Sequence, residues 1–276
     1  MQTTTVPTRK VQRYGWKPDL PDHRDQKYAA PAPPAGGLPP LVDLRPHCPA
    51  VYDQGQLGSC TANALGGAFE FDQIKEAAPH VWRPARLFIY YNERVIEGDV
   101  GQDNGAQIRD GIKSLSTQGV CSEDLWPYDT TQFATQPPEK CYTNAAKHLV
   151  SSYQSIPQVM DQIKGCLASG YPVVFGFTVY ESFESQQVAS SGILAMPGSS
   201  EQVVGGHAVL CVGYNDTMTV QNPDGSTSTG MVLVRNSWGA SWGQAGYFWM
   251  PYDYNSNANL ASDLWTVRFV QFTPTS

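Results

Sequence analysis

The stretch Gln54-Gly-Gln-Leu-Gly-Ser-Cys60 leads from a glycine-rich loop into an apolar segment that continues to about Lys75. Ser59 is a residue type that favours the helix N-cap, and apolar side chains recur after it at helical spacing: Ala64, Leu65, Ala68, Phe69 and Ile74. The pattern predicts a buried helix from Ser59 to about Lys75. Cys60 stands at its N-terminus, where unpaired N–H groups and the helix dipole lower the pKa of a thiol. We therefore expect Cys60 to be a nucleophile.

The other five cysteines fit structural roles better than Cys60 does. Cys166 and Cys211 fall within predicted secondary structure, where a small buried side chain is the simpler interpretation. Cys48 lies in a loop, and Cys121 and Cys141 flank a proline-rich loop, where they are candidates for a disulfide. Six cysteines in 276 residues are far below the roughly 8–10% of a disulfide scaffold, so the redox compartment stays open.

His207 is the strongest of the five histidines as a partner for Cys60. It opens an apolar strand, Gly205-Gly-His-Ala-Val-Leu210, and the glycines before it carry no Cβ that would crowd the ring. A catalytic imidazole must be held rigidly, with its second nitrogen fixed by a hydrogen bond. The remaining histidines lie in polar or proline-flanked segments typical of the surface: His23, His47, His80 and His148.

The segment Val234-Arg-Asn-Ser-Trp-Gly-Ala-Ser-Trp-Gly243 supplies a group that can fix the imidazole. The amide oxygen of Asn236 can accept an imidazole N–H, and the indole of Trp238 can shield that bond from water. Alternatively, this segment is a turn rich in Gly and Trp whose only role is packing.

No C-x₂₋₄-C or H-x₃₋₅-H pair and no glycine-rich phosphate motif occurs. The sequence thus predicts neither a metal nor another cofactor.

Composition and charge limit the function further. The formal net charge of −7 argues against a surface for nucleic acid or anionic membranes. Hydrophobic residues make up 41% of the chain and charged residues 16%, as in a folded protein. No secretory signal is visible in residues 1–15, and the most apolar stretch, residues 171–180, is too short to span a bilayer. We expect a soluble monomer that is cytoplasmic or exported without a cleavable signal.

Proline sets an N-terminal segment apart from the rest of the chain. Eight prolines within residues 1–40 exclude a helix or a central strand there, so we expect an extended arm. The middle of the arm carries Tyr14, Trp16 and Leu20. A solvated linker has no need of these side chains, so they favour an arm docked on the domain over a free tail.

Beyond the arm, the first half of the chain favours helices and the second half strands. In addition to the helix that begins at Ser59, helices are predicted over residues 106–118 and 158–168. Strands are predicted over four apolar runs: residues 173–180, 208–214, 231–236 and 246–250. The turn Asn222-Pro-Asp-Gly225 separates two of them. The fold class is therefore α+β.

Three motifs together resemble the papain-like cysteine peptidases, family C1. They are Gln54 six residues before Cys60, Gly-Gly-His-Ala-Val around His207, and Asn-Ser-Trp-Gly from Asn236. The order Cys, His, Asn fits that family. The resemblance runs from about Val42 to the C-terminus and is greatest to bacterial members with a short N-terminal extension. It implies a two-lobe fold with a helical left lobe, an antiparallel β-barrel-like right lobe and an active-site cleft between them.

The resemblance also implies a division of the chain and a reaction. Residues 1–40 would be a propeptide-like arm and residues 41–276 the catalytic domain, with a left lobe over about 41–150 and a right lobe over about 151–276. The implied activity is that of a cysteine endopeptidase, which forms an acyl-enzyme on a Cys thiolate and then hydrolyses it.

Site roles follow from the same resemblance. Cys60 is the nucleophile, His207 the general base and then acid, and Asn236 the residue that orients His207. Gln54 and the Cys60 backbone N–H form the oxyanion hole. The implied substrate-binding residues are Asn104, Gly105, Ala106, Gly176, Gly205, Gly206 and Trp238. Glycines at positions 176 and 205 suggest a roomy second substrate pocket.

The chain departs from the family pattern around the nucleophile. Leu57 stands where the family has a cysteine, and the partner of that cysteine appears as Asp103, so we expect packing in place of the disulfide. Thr61 replaces an aromatic residue after the nucleophile. Ala106 replaces a glycine of the substrate-binding stretch, and its Cβ is expected to narrow that contact. In place of the family's long helical propeptide, the chain has the arm.

Two functions stay open at this stage. The first is an endopeptidase, a zymogen whose arm lies over the cleft in cis until it is displaced or cleaved. Its partners would be peptide or protein substrates and cystatin-like or epoxide inhibitors. The second is a non-hydrolytic peptide-binding module or an acyltransferase on the same fold. The complete triad argues against the binding module, and no acceptor site for an acyltransferase is visible.

Overall fold

The computed structural model describes residues 13–270; residues 1–12, where the predicted arm begins, and residues 271–276 lie outside the described part. The helices are α1 (Cys60–Lys75), α2 (Arg86–Glu97), α3 (Ile108–Thr117), α4 (Glu139–Ala145), α5 (Met160–Ala168), α6 (Gln186–Ser191) and α7 (Tyr252–Ser256). The strands are β1 (Trp16–Lys17), β2 (Leu41–Asp43), β3 (Ala106–Gln107), β4 (Val150–Ser155), β5 (Val173–Tyr180), β6 (Val203–Gln221), β7 (Thr227–Arg235), β8 (Tyr247–Pro251) and β9 (Ala261–Val270). Within residues 13–270, every helix is too short or too polar to span a bilayer.

An antiparallel sheet organises the second half of the chain. Its strand order is β4-β9-β5-β6-β7-β8, and β2 pairs with β6 beside this path. The sheet is open, with β4 and β8 at its two ends, so it does not close into a barrel. The four predicted strands are confirmed as β5 to β8, with β6 much longer than expected. Because β2 belongs to this sheet, the left-lobe residues 41–43 already contact the right lobe; the lobe boundaries stay a prediction.

Helix α1 is the element that joins the two halves. It packs against α2 and against β6, and it is buried on nearly all sides. Its predicted range is confirmed, although the Ser59 hydroxyl does not cap the helix and pairs with the Tyr128 hydroxyl at 2.6 Å. Gly67 faces the buried guanidinium of Arg235 from β7, where a Cβ would leave no room. This close contact holds the middle of α1 against β6 and β7.

Helix α2 lies outside the predicted elements because its buried side chains include charged ones. Arg86 pairs with Glu123 at 2.9 Å, and Arg94 donates to the Tyr90 carbonyl at 2.9 Å, so both cations are satisfied inside the protein. Because charged residues occupy these buried positions, the regular spacing of apolar side chains that predicts a helix is interrupted. The helix predicted from residue 106 begins two residues later, because Ala106 and Gln107 form β3.

The arm is docked along its described length up to Ala30. β1 runs parallel to β3, with Trp16 opposite Ala106. Further along, Tyr28 is buried and donates its N–H to the Ser155 carbonyl at 2.8 Å. Residues 31–37 are exposed before the chain enters β2. The docked arrangement predicted from the aromatic residues is therefore found, and the arm contacts both halves of the molecule.

Candidate active site

Cys60 is the first residue of α1, and its thiol is fully buried. The backbone N–H of Ala208 points at Sγ from 3.4 Å, and the backbone N–H of Gly15, from the arm, is a second donor. Burial raises the pKa of the Cys60 thiol to about 12, and these N–H groups offset only part of the effect. With the arm docked, the thiol is therefore neutral.

His207 and Asn236 form the pair that the sequence predicts. The His207 Nε2 and the Asn236 Oδ1 are 2.8 Å apart. The Ser237 backbone N–H also donates to Oδ1, at 2.8 Å, which identifies this atom as an acceptor. His207 Nε2 must then carry the hydrogen, and Nδ1, which has no hydrogen-bond partner within residues 13–270, carries the lone pair. Burial lowers the pKa of His207 to about 4, against the opposing effect of the Asn236 hydrogen bond.

Aromatic side chains enclose the imidazole. The Trp238 ring centroid lies 5.3 Å from that of His207, and Trp238 is fully buried. Phe177 and Phe183 lie at 5.8 and 6.3 Å. Trp238 is thus placed beside the His207–Asn236 bond, as the sequence predicts, and shields it from water. It does not form part of an exposed substrate surface while the arm is docked.

Gln54 is buried, and the orientation of its side-chain amide is fixed at both ends. Oε1 accepts the Ser237 hydroxyl at 2.6 Å, and Nε2 donates to the Leu57 carbonyl at 2.9 Å. An amide carries two N–H donors, so one remains for a developing oxyanion. The first N–H groups of a helix have no intrahelical partner, and that of Cys60 is the second donor expected here.

The segment predicted to bind a substrate backbone is occupied by the arm. The Ala106 N–H donates to the Gly15 carbonyl at 2.8 Å. Gly105 has a left-handed φ of 74°, and a Cβ there would overlap Gly15. Asn104 is exposed and bonds to Asp99 at 2.9 Å. Gly105 and Ala106 therefore face the cleft, whereas the Asn104 side chain does not contact the arm.

The three glycines predicted to border a side-chain pocket also face the arm. A Cβ on Gly176 would overlap the Trp16 indole, and a Cβ on Gly206 would lie 2.6 Å from one of its ring carbons. At Gly205 a Cβ would lie 2.6 Å from the side chain of Tyr14. The pocket is thus large enough for an indole, and Trp16 fills it.

Two acidic residues contribute to the site in ways that the sequence does not predict. Both carboxylate oxygens of Asp103 accept the Gly58 N–H at 3.1 Å, and Asp103 also accepts the Tyr90 hydroxyl. Leu57 packs in the core, as expected, and a part-buried polar link from Asp103 joins the same loops in addition. The other residue is Asp263, which accepts the Trp16 Nε1–H at 3.0 Å. The sequence contains a signal for Asp103, because it and Leu57 both stand where the family has cysteines. No feature of the sequence indicated a role for Asp263.

All six cysteines are free thiols, so Cys121 and Cys141 do not form a disulfide. Within residues 13–270, no group of three or more His, Cys, Asp or Glu side chains is arranged to hold a metal ion. The groups that the site brings together include the thiol of Cys60, the imidazole of His207 and the amide of Gln54.

The family model for papain family cysteine proteases matches residues 38–267. The chain belongs to the papain family of cysteine proteases. It is 44% identical over 243 residues to an uncharacterized peptidase C1-like protein of Acanthamoeba polyphaga mimivirus, covering 83% of this chain and 75% of that protein. It is 28% identical to mouse cathepsin J, over 82% of this chain and 64% of the cathepsin, slightly under two thirds of that relative's length.

A solved structure is similar to this papain-family chain over almost its whole length. Xylellain, a cysteine protease from Xylella fastidiosa, is 42% identical, with a TM-score of 0.82 over 95% of this chain and 98% of xylellain. These matches confirm the predicted family, the α+β papain-like fold and the cysteine endopeptidase function. None of them supports the alternative of a non-hydrolytic binding module or an acyltransferase.

Proposed function

We propose that the N-terminal arm holds this cysteine endopeptidase closed, as in a zymogen, and that the cleft opens when the arm is displaced or cleaved. The observation that carries the proposal is the position of Gly15. Its carbonyl accepts the Ala106 N–H at 2.8 Å, and its own N–H points at the Cys60 thiol. A peptide substrate needs the same backbone partner and the same space beside the thiol. The arm and the substrate therefore compete for one place.

Aromatic contacts on both sides of Gly15 support the proposal. The Tyr14 ring lies 5.8 Å from the His207 ring, and its hydroxyl donates to Glu184 at 2.7 Å. Trp16 fills the pocket beside Gly176. The arm thus covers the thiol, the imidazole and the side-chain pocket at once.

The docked arm also acts on the protonation of the catalytic pair. Burial raises the pKa of Cys60 and lowers the pKa of His207, and both shifts favour the neutral thiol and the neutral imidazole. When the arm leaves, water reaches both groups and the desolvation cost of their charges falls. A proton can then pass from the Cys60 thiol to Nδ1 of His207, which gives the nucleophilic thiolate.

The reaction that follows uses the geometry around the pair. The thiolate attacks the peptide carbonyl, and the oxyanion accepts N–H donors from Gln54 and from the Cys60 backbone. His207, held by Asn236, returns its proton to the leaving amine. Water, deprotonated by His207, then hydrolyses the thioester. In this proposal residues 41–276 form the catalytic domain, with lobes over about 41–150 and 151–276.

Two glycine variants test the proposal in the full chain. A Cβ at Gly15 would overlap the Gly58 carbonyl, whereas Gly36, also in the arm, has no heavy atom within 4 Å. Gly15→Ala should displace the arm, because overpacking of this kind costs about 1–3 kcal/mol or more. Labelling of Cys60 by an epoxide peptide, and hydrolysis of a fluorogenic dipeptide, should then rise about tenfold or more.

Gly36→Ala is the matched control and should behave as the unmodified chain does. Cys60→Ala should abolish both labelling and hydrolysis. Hydrogen exchange at the Ala106 amide reports whether Gly15→Ala has displaced the arm. A displaced arm with unchanged labelling and hydrolysis would contradict the proposal.

A further inference from the structure

A carboxyl group inside the helical half of the molecule takes no part in the proposed reaction. Glu93 of α2 is fully buried. Its Oε1 accepts the hydroxyl hydrogen of Thr61 at 2.6 Å, and its Oε2 has no hydrogen-bond partner within residues 13–270. Thr61 directly follows Cys60 in α1 and stands where the papain family has an aromatic residue. The carboxyl is therefore joined to the residue next to the nucleophile.

The carboxyl of Glu93 fits between three helices and is held there without charge. A Cβ on Gly111 of α3 would lie 2.6 Å from Oε2, so the glycine makes room for the carboxyl. On α2, the Arg94 guanidinium attracts Glu93 but makes its hydrogen bonds to backbone carbonyls. Glu97 of α2 and Asp110 of α3 repel a negative charge at this place. Burial raises the pKa of Glu93 well above its usual value, so the carboxyl is neutral.

Backbone N–H groups surround the sulfur of the nucleophile. Those of Gly15, Ala208 and Thr61 point at the Cys60 thiol. Each of them stabilises a thiolate, because a hydrogen bond to a charged acceptor is stronger than one to a neutral acceptor. The Gly15 N–H leaves with the arm, whereas the sheet holds Ala208, which pairs with Gly176 of β5. In the open enzyme the thiolate therefore relies on the donors from Ala208 and Thr61.

The first turn of α1 is held by a neighbouring helix rather than by its own N-cap. The Ser59 hydroxyl, at the N-cap position, turns away from the helix and pairs with the Tyr128 hydroxyl at 2.6 Å. Helix ends fray when their first N–H groups are not secured. The Glu93 carboxyl supplies a fixed point, because it bonds to the Thr61 side chain from α2. The orientation of the Thr61 N–H thus depends on Glu93.

We propose that Glu93 is a positioning residue for the nucleophile: its carboxyl fixes Thr61, and Thr61 keeps its backbone N–H on the thiolate of Cys60. The inference rests on the proposed function, because it requires that Cys60 reacts as a thiolate once the arm has left. Packing alone would favour an apolar side chain at this position, since a buried oxygen without a partner is costly. A neutral carboxyl gives the Thr61 hydroxyl an acceptor, whereas a charged one would raise the pKa of the Cys60 thiol.

Four variants and a control separate these contacts in the Gly15→Ala chain, in which the arm is displaced. Glu93→Gln keeps an acceptor oxygen for the Thr61 hydroxyl, and Glu93→Leu fills the space without one. Thr61→Val removes the hydroxyl and keeps the shape. The double variant with Thr61→Val and Glu93→Leu replaces both partners by apolar groups, a change that can be nearly neutral for stability, so it should fold even where Glu93→Leu alone does not. Ser114→Ala is the control, because it removes another buried hydroxyl, from α3.

The reactivity of Cys60 is read from the pH dependence of its alkylation by iodoacetamide, followed by mass spectrometry of the Cys60 peptide. Glu93→Leu and Thr61→Val should each shift this profile to higher pH, so that alkylation at a given acidic pH slows about tenfold. The double variant should show the same shift and no more, because both changes break one contact. Glu93→Gln and Ser114→Ala should leave the profile in place.

Hydrolysis of a fluorogenic dipeptide separates this inference from the proposed function. At the same acidic pH, kcat should fall about tenfold in Glu93→Leu with KM little changed, and Glu93→Gln should retain it. A lower Tm in Glu93→Leu with the alkylation profile of Glu93→Gln would mean a purely structural role and overturn the inference, as would an unchanged profile in the double variant. Either result is compatible with hydrolysis that upholds the proposed function. If the Gly15→Ala chain hydrolyses no peptide but the profiles differ as expected, the proposed function fails and the role of Glu93 stands.

Discussion

Docking of the arm should weaken as the pH rises from acid to neutral values, and Asp19 is the reason. Asp19 accepts the Trp265 Nε1–H at 2.8 Å and the Arg109 backbone N–H at 3.0 Å, so its carboxyl is buried when the arm docks. This burial, together with the negative charge of Asp263, raises the pKa of Asp19 to about 7. The Arg109 guanidinium opposes the shift but is itself paired with Asp25 at 2.6 Å.

The sign and the size of the effect follow from this shift. In the docked arm Asp19 keeps its proton up to about pH 7, whereas in a free arm it loses the proton above pH 3.8. Protonation of Asp19 therefore stabilises docking fully below pH 3.8, and this stabilisation is lost as the pH rises through about 7. Each pKa unit corresponds to about 1.4 kcal/mol, which gives up to about 4 kcal/mol in all. Between pH 5 and pH 8 the loss is about 2–3 kcal/mol, or close to a 100-fold change in the docking equilibrium.

Hydrogen exchange measures this equilibrium without relying on the reactivity of Cys60. The Ala106 amide is protected by its bond to Gly15, so its protection factor, corrected for the intrinsic pH dependence of exchange, reports docking. The protection factor should fall by close to 100-fold between pH 5 and pH 8. In Asp19→Asn, which keeps an acceptor oxygen but cannot ionise, the fall should be smaller, because only Asp263, whose pKa is also raised by burial, then remains to titrate. Constant protection in the unmodified chain, or an equal fall in Asp19→Asn, would refute the assignment to Asp19.

Two further predictions concern the site. Asp103→Ala leaves the Gly58 N–H and the Tyr90 hydroxyl without their acceptor, which costs about 1–3 kcal/mol for each donor. The Tm measured by scanning calorimetry should therefore fall by several degrees. An unchanged Tm would show that these hydrogen bonds do not stabilise the fold. Asn236→Ala frees the His207 ring, so kcat measured on the Gly15→Ala background should lose part of the roughly 10²–10⁴-fold that a positioned acid–base group provides. A lower affinity with unchanged kcat would argue against an orienting role for Asn236.

Much of the fold could be predicted because it depends on local patterns. The apolar period after Ser59 identified α1, and the runs of β-favouring residues identified β5 to β8. Helix α2 was missed because Arg86 and Arg94 are buried, and their partners include Glu123 and the Phe133 carbonyl, which lie far along the chain and leave no local signature. Prediction failed where a distant partner changes which residues can be buried.

The sequence by itself identifies the residues that we propose as the reacting groups. Cys60, His207 and Asn236 stand in short motifs whose residue types carry the chemistry wherever the chain places them. Only the tertiary structure decided where the arm docks and where Asp263 lies. The sequence does not show where Tyr14 and Trp16 pack, because that depends on the pairing of β1 with β3. Asp263 lies in the pocket only because the register shifts between β5 and β9. Pairing and register join residues far apart in the chain, and they follow from the energy of the whole fold, which no short segment contains.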